Sequence, residues 1–436
     1  MNIAIHVISS IVRPVPSVPQ RSNLRIAQWG GSTIVLAMIA LVGCTGGGEV
    51  AEVVTSTTIE NVTTTTIERA NDGVLKLGVY LPRTGEGAAL GEPMIQAVEE
   101  AVAAINTAGG VLGNNIEVEI VDEGGDSGPD ELITGGVDAI VGPASSLVAL
   151  AQLATLVQPT TGVVTCSPTA TAMALDDFSD RDGLFFRTAP SDSLQMAAIA
   201  RRVEDTGETS VTVGYLDDPY GRGLVASFAE VAGRQGLDLR AEVGFSGDQE
   251  DLSDVVAELL AESPGVIVVL GDTDDGSRLL AAIDEAAATD LRRVIVNDAI
   301  RGARQTIQSL TPAFRQRLIG VAPNARSLSE NGPEGFFTAH AVDCVNLIAL
   351  ATILAESDAP SRIKTKIGEV ASGGRVCTSF DACVALLDQD LQIDYNGFSG
   401  SVDLSNSAGD PVRAWFESFS FDADGIETST LVFEVQ

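Results

Sequence analysis

The sequence predicts an α/β fold built as two βα-repeating halves, and three observations point to it. Short, almost wholly apolar runs such as Ala139-Ile-Val, Val211 to Leu216 and Val266 to Leu270 have the character of parallel strands buried on both faces. They alternate with helix-length segments that open on Pro or a hydroxyl residue and close on Gly. The alternation runs to Phe185-Phe-Arg187 and restarts after Ala189-Pro190-Ser191-Asp192, which makes two units rather than one. A length of 436 residues leaves room for two or three domains with ample core.

Taken in order, the chain begins with Arg13, Arg21 and Arg25, then an apolar segment from Trp29 to Val42 ending Leu41-Val42-Gly43-Cys44. A basic start, a short apolar core and small residues describe an export signal, too short to span a membrane comfortably. The Leu-x-Gly-Cys ending resembles the bacterial lipoprotein box. That resemblance implies a signal peptide over 1–43 and a lipidated Cys44; the alternative is a soluble secreted protein with an incidental Cys. Pro14, Pro16 and Pro19 ahead of the signal leave a misplaced start codon open. Residues 44–73, with Gly46-Gly-Gly and a Thr-rich tract, bury too little to order themselves and read as a flexible tether.

The first half then predicts a strand over Leu75 to Leu81 and a helix over Glu92 to Ala108, with Pro93 at its start and Gly109 past its end. A strand over Ile116 to Val121, a short helix near Pro129 and a strand at Val137 follow. Next comes the stretch from Ala139 to Thr171: strand, Gly142-Pro143 turn, Ser145-Ser146 helix start, helix, strand, and a second hydroxyl-rich turn, Ser167-Pro168-Thr169-Ala170-Thr171, opening another helix. The second half predicts strands at Val211 to Leu216, Val243 to Phe245, Val266 to Leu270 and Val294 to Val296, with helices such as Leu224 to Gln235 and Leu252 to Glu262 between them. A long helix over Pro333 to Leu354 and a shorter one over Ser361 to Val370 lead to a closing region of period two. Its strands are Ser399 to Leu404, Val412 to Phe421 and Ile426 to Val435, the last two joined by an Ala423-Asp424-Gly425 hairpin.

Charge and cysteine content narrow the function. Twenty-six Lys and Arg face 60 Asp and Glu for a net charge of −34, which repels nucleic acid and anionic lipid. Cys166, Cys344, Cys377 and Cys383 remain after Cys44, in an exported chain where disulfides persist. The short gap between Cys377 and Cys383 favours a local loop; Cys166 and Cys344 would pair only within one lobe. Zinc is disfavoured, since no Cys-x-x-Cys pair is present and His340 is the single histidine past the signal. Asp422, Asp424 and Gly425 resemble part of a calcium loop without its remaining ligands. Gly221-Arg-Gly223 after a strand lacks the acidic partner of a dinucleotide site. No Gly-x-Ser-x-Gly elbow or Gly-Lys phosphate loop occurs, so catalysis has little to work with, and no cofactor or metal is implied.

Binding has more support. The turns at Ser145-Ser146 and Ala170-Thr171 fall at one sheet edge, where two helix N-termini would offer amides, partial positive charge and hydroxyls to a carboxylate. An equally available role for each hydroxyl is to cap its own helix. The strand ends of the second half carry Asp217-Asp218-Pro219-Tyr220-Gly221, Gly271-Asp272-Thr273-Asp274 and Asn297-Asp298, where ligands of open α/β sheets collect. An acid and an aromatic facing the hydroxyl wall would hold a zwitterion. Asp298 as a helix cap and Tyr220 as a packing residue are the structural alternatives.

An ordered set of motifs makes the resemblance specific. It runs Leu77-Gly78-Val-Tyr-Leu-Pro-Arg-Thr84-Gly85, Ala104-Ile-Asn106-Thr-Ala-Gly109-Gly110-Val-Leu-Gly113, Val141-Gly142-Pro143-Ala-Ser145-Ser146, Ser167-Pro168-Thr169-Ala170-Thr171, Phe186-Arg187-Thr-Ala-Pro190-Ser191-Asp192, Asp218-Pro-Tyr220-Gly221 and Tyr395-Asn-Gly397-Phe-Ser-Gly400. In these the chain resembles the substrate-binding proteins of branched-chain amino acid ABC transporters, with the periplasmic-binding-protein type I fold. The resemblance implies two Rossmann-like lobes, 74–189 with 325–395 and 190–324 with 396–436, joined by a three-segment hinge near Pro190, Asn324 and Asn396. It further implies Ser146, Thr171 and the Ala170 backbone at the ligand carboxylate, with Tyr220 and Asp298 on the ammonium side; Ser145 and Asp272 are neighbouring candidates. Departures bear on the ligand: Ala88-Ala89-Leu90 stands where an aromatic is common, 272–275 is acidic, and Val342-Asp343-Cys344 replaces the family's Tyr-Asp-Ala. The extra acids favour a polar or cationic ligand.

The expected protein is therefore an extracytoplasmic, lipid-anchored binder that delivers an amino acid or similar small polar solute to ABC permease subunits. The competing readings are a lipid-anchored sensory protein presenting its ligand to a membrane receptor, and an enzyme using the cleft.

Overall fold

The strands of the first half assemble into one parallel sheet in a computed structural model of the chain. Residues 71–436 are described, apart from 86, 159–160, 177–182, 262, 287–290, 292 and 405–408; the expected signal peptide, Cys44 and nearly all of the tether lie outside the described residues. The elements are β1 (Lys76–Leu81), α1 (Ala88–Thr107), β2 (Glu117–Asp122), α2 (Pro129–Gly135), β3 (Ala139–Val141), α3 (Ser146–Leu156), β4 (Val164–Ser167) and β5 (Phe185–Arg187), with strand order β2-β1-β3-β4-β5. β3 and β4 are parallel neighbours, so the turns after them share one edge.

The chain then crosses into a second lobe. It runs α4 (Asp192–Asp205), β6 (Ser210–Leu216), α5 (Pro219–Gln235), β7 (Asp238–Phe245), α6 (Ser253–Ala261), β8 (Val266–Leu270), α7 (Thr273–Glu285), β9 (Arg293–Val296), α8 (Arg304–Ser309), α9 (Pro312–Arg315) and β10 (Leu318–Pro323). Caps are written into these starts: Ser145, Ser191, Asp218 and Asp272 each accept a backbone N–H of the helix that follows. Every residue of β8 is buried at 0% exposure, each aliphatic side chain contributing roughly 1.5–3 kcal/mol over an exposed one.

A second crossing returns to the first lobe through α10 (Thr338–Ala355), α11 (Pro360–Ile363), α12 (Ile367–Ala371), β11 (Arg375–Cys377), α13 (Phe380–Leu387), β12 (Ile393–Gly397) and β13 (Gly400–Ser401). The third leads to β14 (Ala414–Phe421) and β15 (Glu427–Val435), which complete a seven-stranded sheet of order β15-β14-β10-β9-β8-β6-β7. Only β10–β14 and β14–β15 pair antiparallel there. α10 is long and apolar enough to cross a membrane, but 89% of it is buried inside the first lobe, the mark of a core helix. Cys166 is bonded to Cys344, tying β4 to α10, and Cys377 to Cys383, closing a short loop.

Four details differ from the sequence expectation. α1 starts a turn early, at Ala88, so Pro93 lies inside it; close packing anchors the added turn, since a Cβ on Gly91 would sit 1.8 Å from the Pro82 carbonyl oxygen. α10 starts late, at Thr338, because Gly335 and Phe337 hold positive φ and break the helical path. The helix expected after Thr171 is a single 3₁₀ turn, Met173–Leu175. Val402 and Leu404 belong to the first lobe's core, so the third crossing leaves that core beyond Asn396.

The crossings are pinned by polar contacts. Asp343, fully buried in α10, accepts from Tyr395 Oη, the Phe398 and Ser399 amides and the Ser399 hydroxyl. Gly397 is required beside it: a Cβ would lie 2.0 Å from the carboxylate. At the first crossing the Thr188 hydroxyl donates to the His340 carbonyl, and at the second the Asn324 amide donates to the Trp415 carbonyl.

Candidate functional site

The first-lobe wall is built where β3 and β4 end. Gly142, at φ +123°, precedes a cis Pro143, and a Cβ at Gly142 would sit 1.9 Å from the Tyr80 carbonyl oxygen, so only Gly fits. The following amides do not all face outward. Buried Glu123 reaches across from β2 and accepts from the Ala144 and Ser145 N–H groups, both at 2.7 Å. Burial raises the Glu123 carboxyl above its ordinary range, and these two amides partly offset it. An internal carboxylate therefore already sits on part of the expected cradle.

The hydroxyls stitch the two turns together. Ser146 Oγ accepts from the Thr171 and Ala172 amides at 3.1 and 3.3 Å. Ser167 Oγ donates to Pro143 O and accepts from Ala170 N–H, while Thr169 donates to Ala144 O. Because both bonds at Ser146 Oγ are accepted ones, its own proton is left to donate, and two accepted bonds polarise it further. Among the described residues the Ser146 and Leu147 amides meet no acceptor. These three donors at the start of α3 are left available to an acceptor. The 3₁₀ turn after Thr171 is too short to add a helix dipole.

Arg187 fixes the rest of that turn. Fully buried on β5, it is ion-paired to Asp176 and Asp410, and its Nη1 donates to the Ala170 and Ala172 carbonyls, both at 3.1 Å. Ala170 is thus held at both its N–H and its carbonyl by the protein.

Facing this wall, Asp298 opens a 3₁₀ turn (Asp298–Gly302) after β9. Gln195 of α4 donates from Nε2 to Asp298 Oδ1 at 2.8 Å and to the Val321 carbonyl at 2.9 Å, leaving its own buried Oε1 without a partner. Buried Asn297 ties strand ends together by exchanging bonds with Gly271, and its Nδ2 lies 3.4 Å from Tyr220 Oη. Between the walls stands Asp192, 4% exposed at the first turn of α4, its N–H on the Thr171 carbonyl. Burial, then the charge of Asp298, pushes the Asp192 carboxyl up to about 7, against the Thr171 hydrogen bond and the Arg187 charge. Asp298 is raised by burial too, opposed by Gln195 and by its own and the Ala299 amides. Tyr220 is raised by burial and by both acids. Two buried acids side by side disfavour two negative charges, so one is relieved by a proton or by a cationic partner.

Of the residues singled out from the sequence, Ser146, Thr171, Tyr220 and Asp298 gather around Asp192. Ser145 caps α3 through Val148 N–H, and exposed Asp272 caps α7 through Asp275 N–H at 2.7 Å. Asp192, Gln195, Asn297, Glu123 and Arg187 were not assigned a site role from sequence. Only Asp192 carried a usable signal, as the acid beside Ser191 at the start of the helix that follows the first crossing. A cleft of about 590 Å³ is lined by Asp298, Leu90 of the first lobe, Arg326 and Phe336 of the second crossing, and Arg301, Arg304 and Glu427 of the second lobe.

Two lobes joined by three crossings define the fold class of a solute-binding protein. The chain belongs to the periplasmic binding protein family, whose profile matches residues 74–340. It is 28% identical over 375 residues to the chemotactic signal transduction system substrate-binding protein BasB of Halobacterium salinarum, covering 82% of this chain and 89% of that one. Its fold is similar to LivJ of Streptococcus pneumoniae, solved with isoleucine, at TM-score 0.56 and 20% identity over 83% of this chain and 99% of that one. It is also similar to an ABC transporter substrate-binding protein of Desulfitobacterium hafniense, solved with Leu, at TM-score 0.61 and 18% identity over 82% of this chain and all of that one. It is also 27% identical over 222 residues to the Leu/Ile/Val-binding protein BraC3 of Rhizobium johnstonii, covering 49% of this chain and 59% of that one, and the family implies an extracytoplasmic protein.

Proposed function

We propose that the chain is the lipid-anchored, extracytoplasmic binding component of an ABC importer, and that it captures an amino acid between its lobes. The carboxylate of the solute is received by the Ser146 hydroxyl and the Ser146 and Leu147 amides, its ammonium by Asp298 and Asp192 beside Tyr220. The supporting observation is a chain of neighbours: Ser146 holds the Thr171 amide, Asp192 bonds Thr171, and Asp298 lies close enough to act on the Asp192 carboxyl. An ammonium about 4 Å from a carboxylate is worth roughly 4 kcal/mol at an effective dielectric near 20, and lobe closure would strengthen it by excluding water. Thermal unfolding of the full chain against a panel of amino acids tests the reading. A ligand at about 100 times its dissociation constant adds about 2.7 kcal/mol of stability; silence from every amino acid would remove the class.

A second reading, a sensory protein presenting its ligand to a membrane receptor, is favoured by the similarity to the chemotactic protein BasB. Deleting the gene distinguishes the two: an importer component abolishes solute uptake, a sensory one abolishes the behavioural response and spares uptake. Globomycin-sensitive processing and palmitate labelling at Cys44 test the anchor.

A further inference from the structure

The cleft that Asp298 lines gathers three arginines, together with Asp298 and Glu427, in a chain whose net charge is −34. Arg301 and Arg304 belong to the second lobe and Arg326 to the second crossing. Arg301 is neutralised by Glu417 and Glu427. Arg304 and Arg326 form no ion pair among the described residues, and both are exposed in the open cleft. The guanidinium of Arg326 stacks 4.5 Å from the ring centre of Phe336, itself 43% exposed, and Arg301 lies 6.0 Å from the same ring. The lining thus combines an aromatic plane, the Leu90 side chain from the opposite lobe, and two guanidinium groups with hydrogen-bonding capacity to spare.

Resting on the amino-acid reading above, we propose that this cleft receives an anionic distal group of the ligand, making the preferred solute a dicarboxylic amino acid rather than an aliphatic one. Closure of the lobes would bring Leu90 over the arginines and strip their water. Two desolvated cations without an anion are unfavourable, whereas a carboxylate presented to guanidinium forks forms charge-assisted hydrogen bonds. An aliphatic side chain would gain contact with Phe336 and Leu90 but would leave both charges unanswered.

Isothermal titration of the full chain with L-glutamate, L-2-aminoadipate, L-glutamine and L-leucine tests this, alongside Arg304→Gln and Arg326→Gln. The expected result is at least one dicarboxylate binding about tenfold or more tighter than glutamine and leucine, the effect of one charge-assisted contact. Each variant should lose about that factor for the dicarboxylate and little for glutamine. Tighter binding of leucine or glutamine by the wild type overturns the inference and leaves the amino-acid reading standing. Equal losses for glutamate and glutamine in the variants also overturn it, since the arginines would then serve lobe closure and not the ligand. No binding of any of the four, with unfolding unaffected by the wider panel, overturns both.

Discussion

Replacing Asp192 with Asn separates two pH effects that the structure sets in opposition. The carboxyl stands near 7 in the folded chain against 3.8 for an ordinary Asp. Between those values the folded state holds a proton that the unfolded state lacks, so lowering the pH stabilises the fold and raising it through about 7 withdraws that stability. From pH 8 to pH 5 this one group adds on the order of 2–3 kcal/mol to the ligand-free protein. Affinity runs the other way. An ammonium seated beside Asp192 keeps it ionised, so binding below pH 7 must first expel the proton, which weakens affinity by about 25-fold between pH 7.5 and 5.5. Urea unfolding at pH 5 and 8 and calorimetric titration at pH 5.5 and 7.5, each on wild type and Asp192→Asn, measure both slopes. The variant should be the more stable protein at pH 8 and should lose most of both trends. If wild type and variant share the same slopes, the coupled-acid account of the site is wrong.

Asp298→Ala should abolish calorimetric binding of ammonium-bearing ligands while circular dichroism stays native, because the acid stands on a single 3₁₀ turn after β9, bonded by Gln195, and carries no part of either sheet. Ser146→Ala removes the acceptor for the Thr171 and Ala172 amides, so it should cost about 1–2 kcal/mol in chemical unfolding and weaken carboxylate binding together. Asp343→Asn places an amide donor against the Tyr395, Phe398 and Ser399 donors and should cost about 3 kcal/mol or more in urea unfolding, with no ligand contact involved.

Local rules explain what could be read before any coordinates. Buried parallel strands announce themselves because both faces must be apolar, so Val211 to Leu216 and Val266 to Leu270 were legible. Capping is a three-residue matter, so Ser145 and Ser191 marked their helices, while the start of α5 at Pro219, capped by Asp218, was read five residues late. Turn chemistry did the same for Gly425 at φ +78°. The ordered motifs extended this to the family and to Ser146, Thr171, Tyr220 and Asp298 as site candidates. What tertiary structure alone decided is how groups distant in the chain share charge and hydrogen bonds. Glu123 claims two amides of the cradle from 21 and 22 residues away, and Arg187 holds Ala170 while meeting Asp410 at a separation of 223. Asp192 looked like a helix-start acid and became half of a coupled pair only because the lobes bring Asp298, more than a hundred positions later, into the same dry gap. The arginine-lined cleft arises in the same way, from arginines scattered through a chain rich in acids and assembled at one place by the fold. Sequence period records which face of an element is buried; it does not record which charges are desolvated together, and that is what selects the ligand.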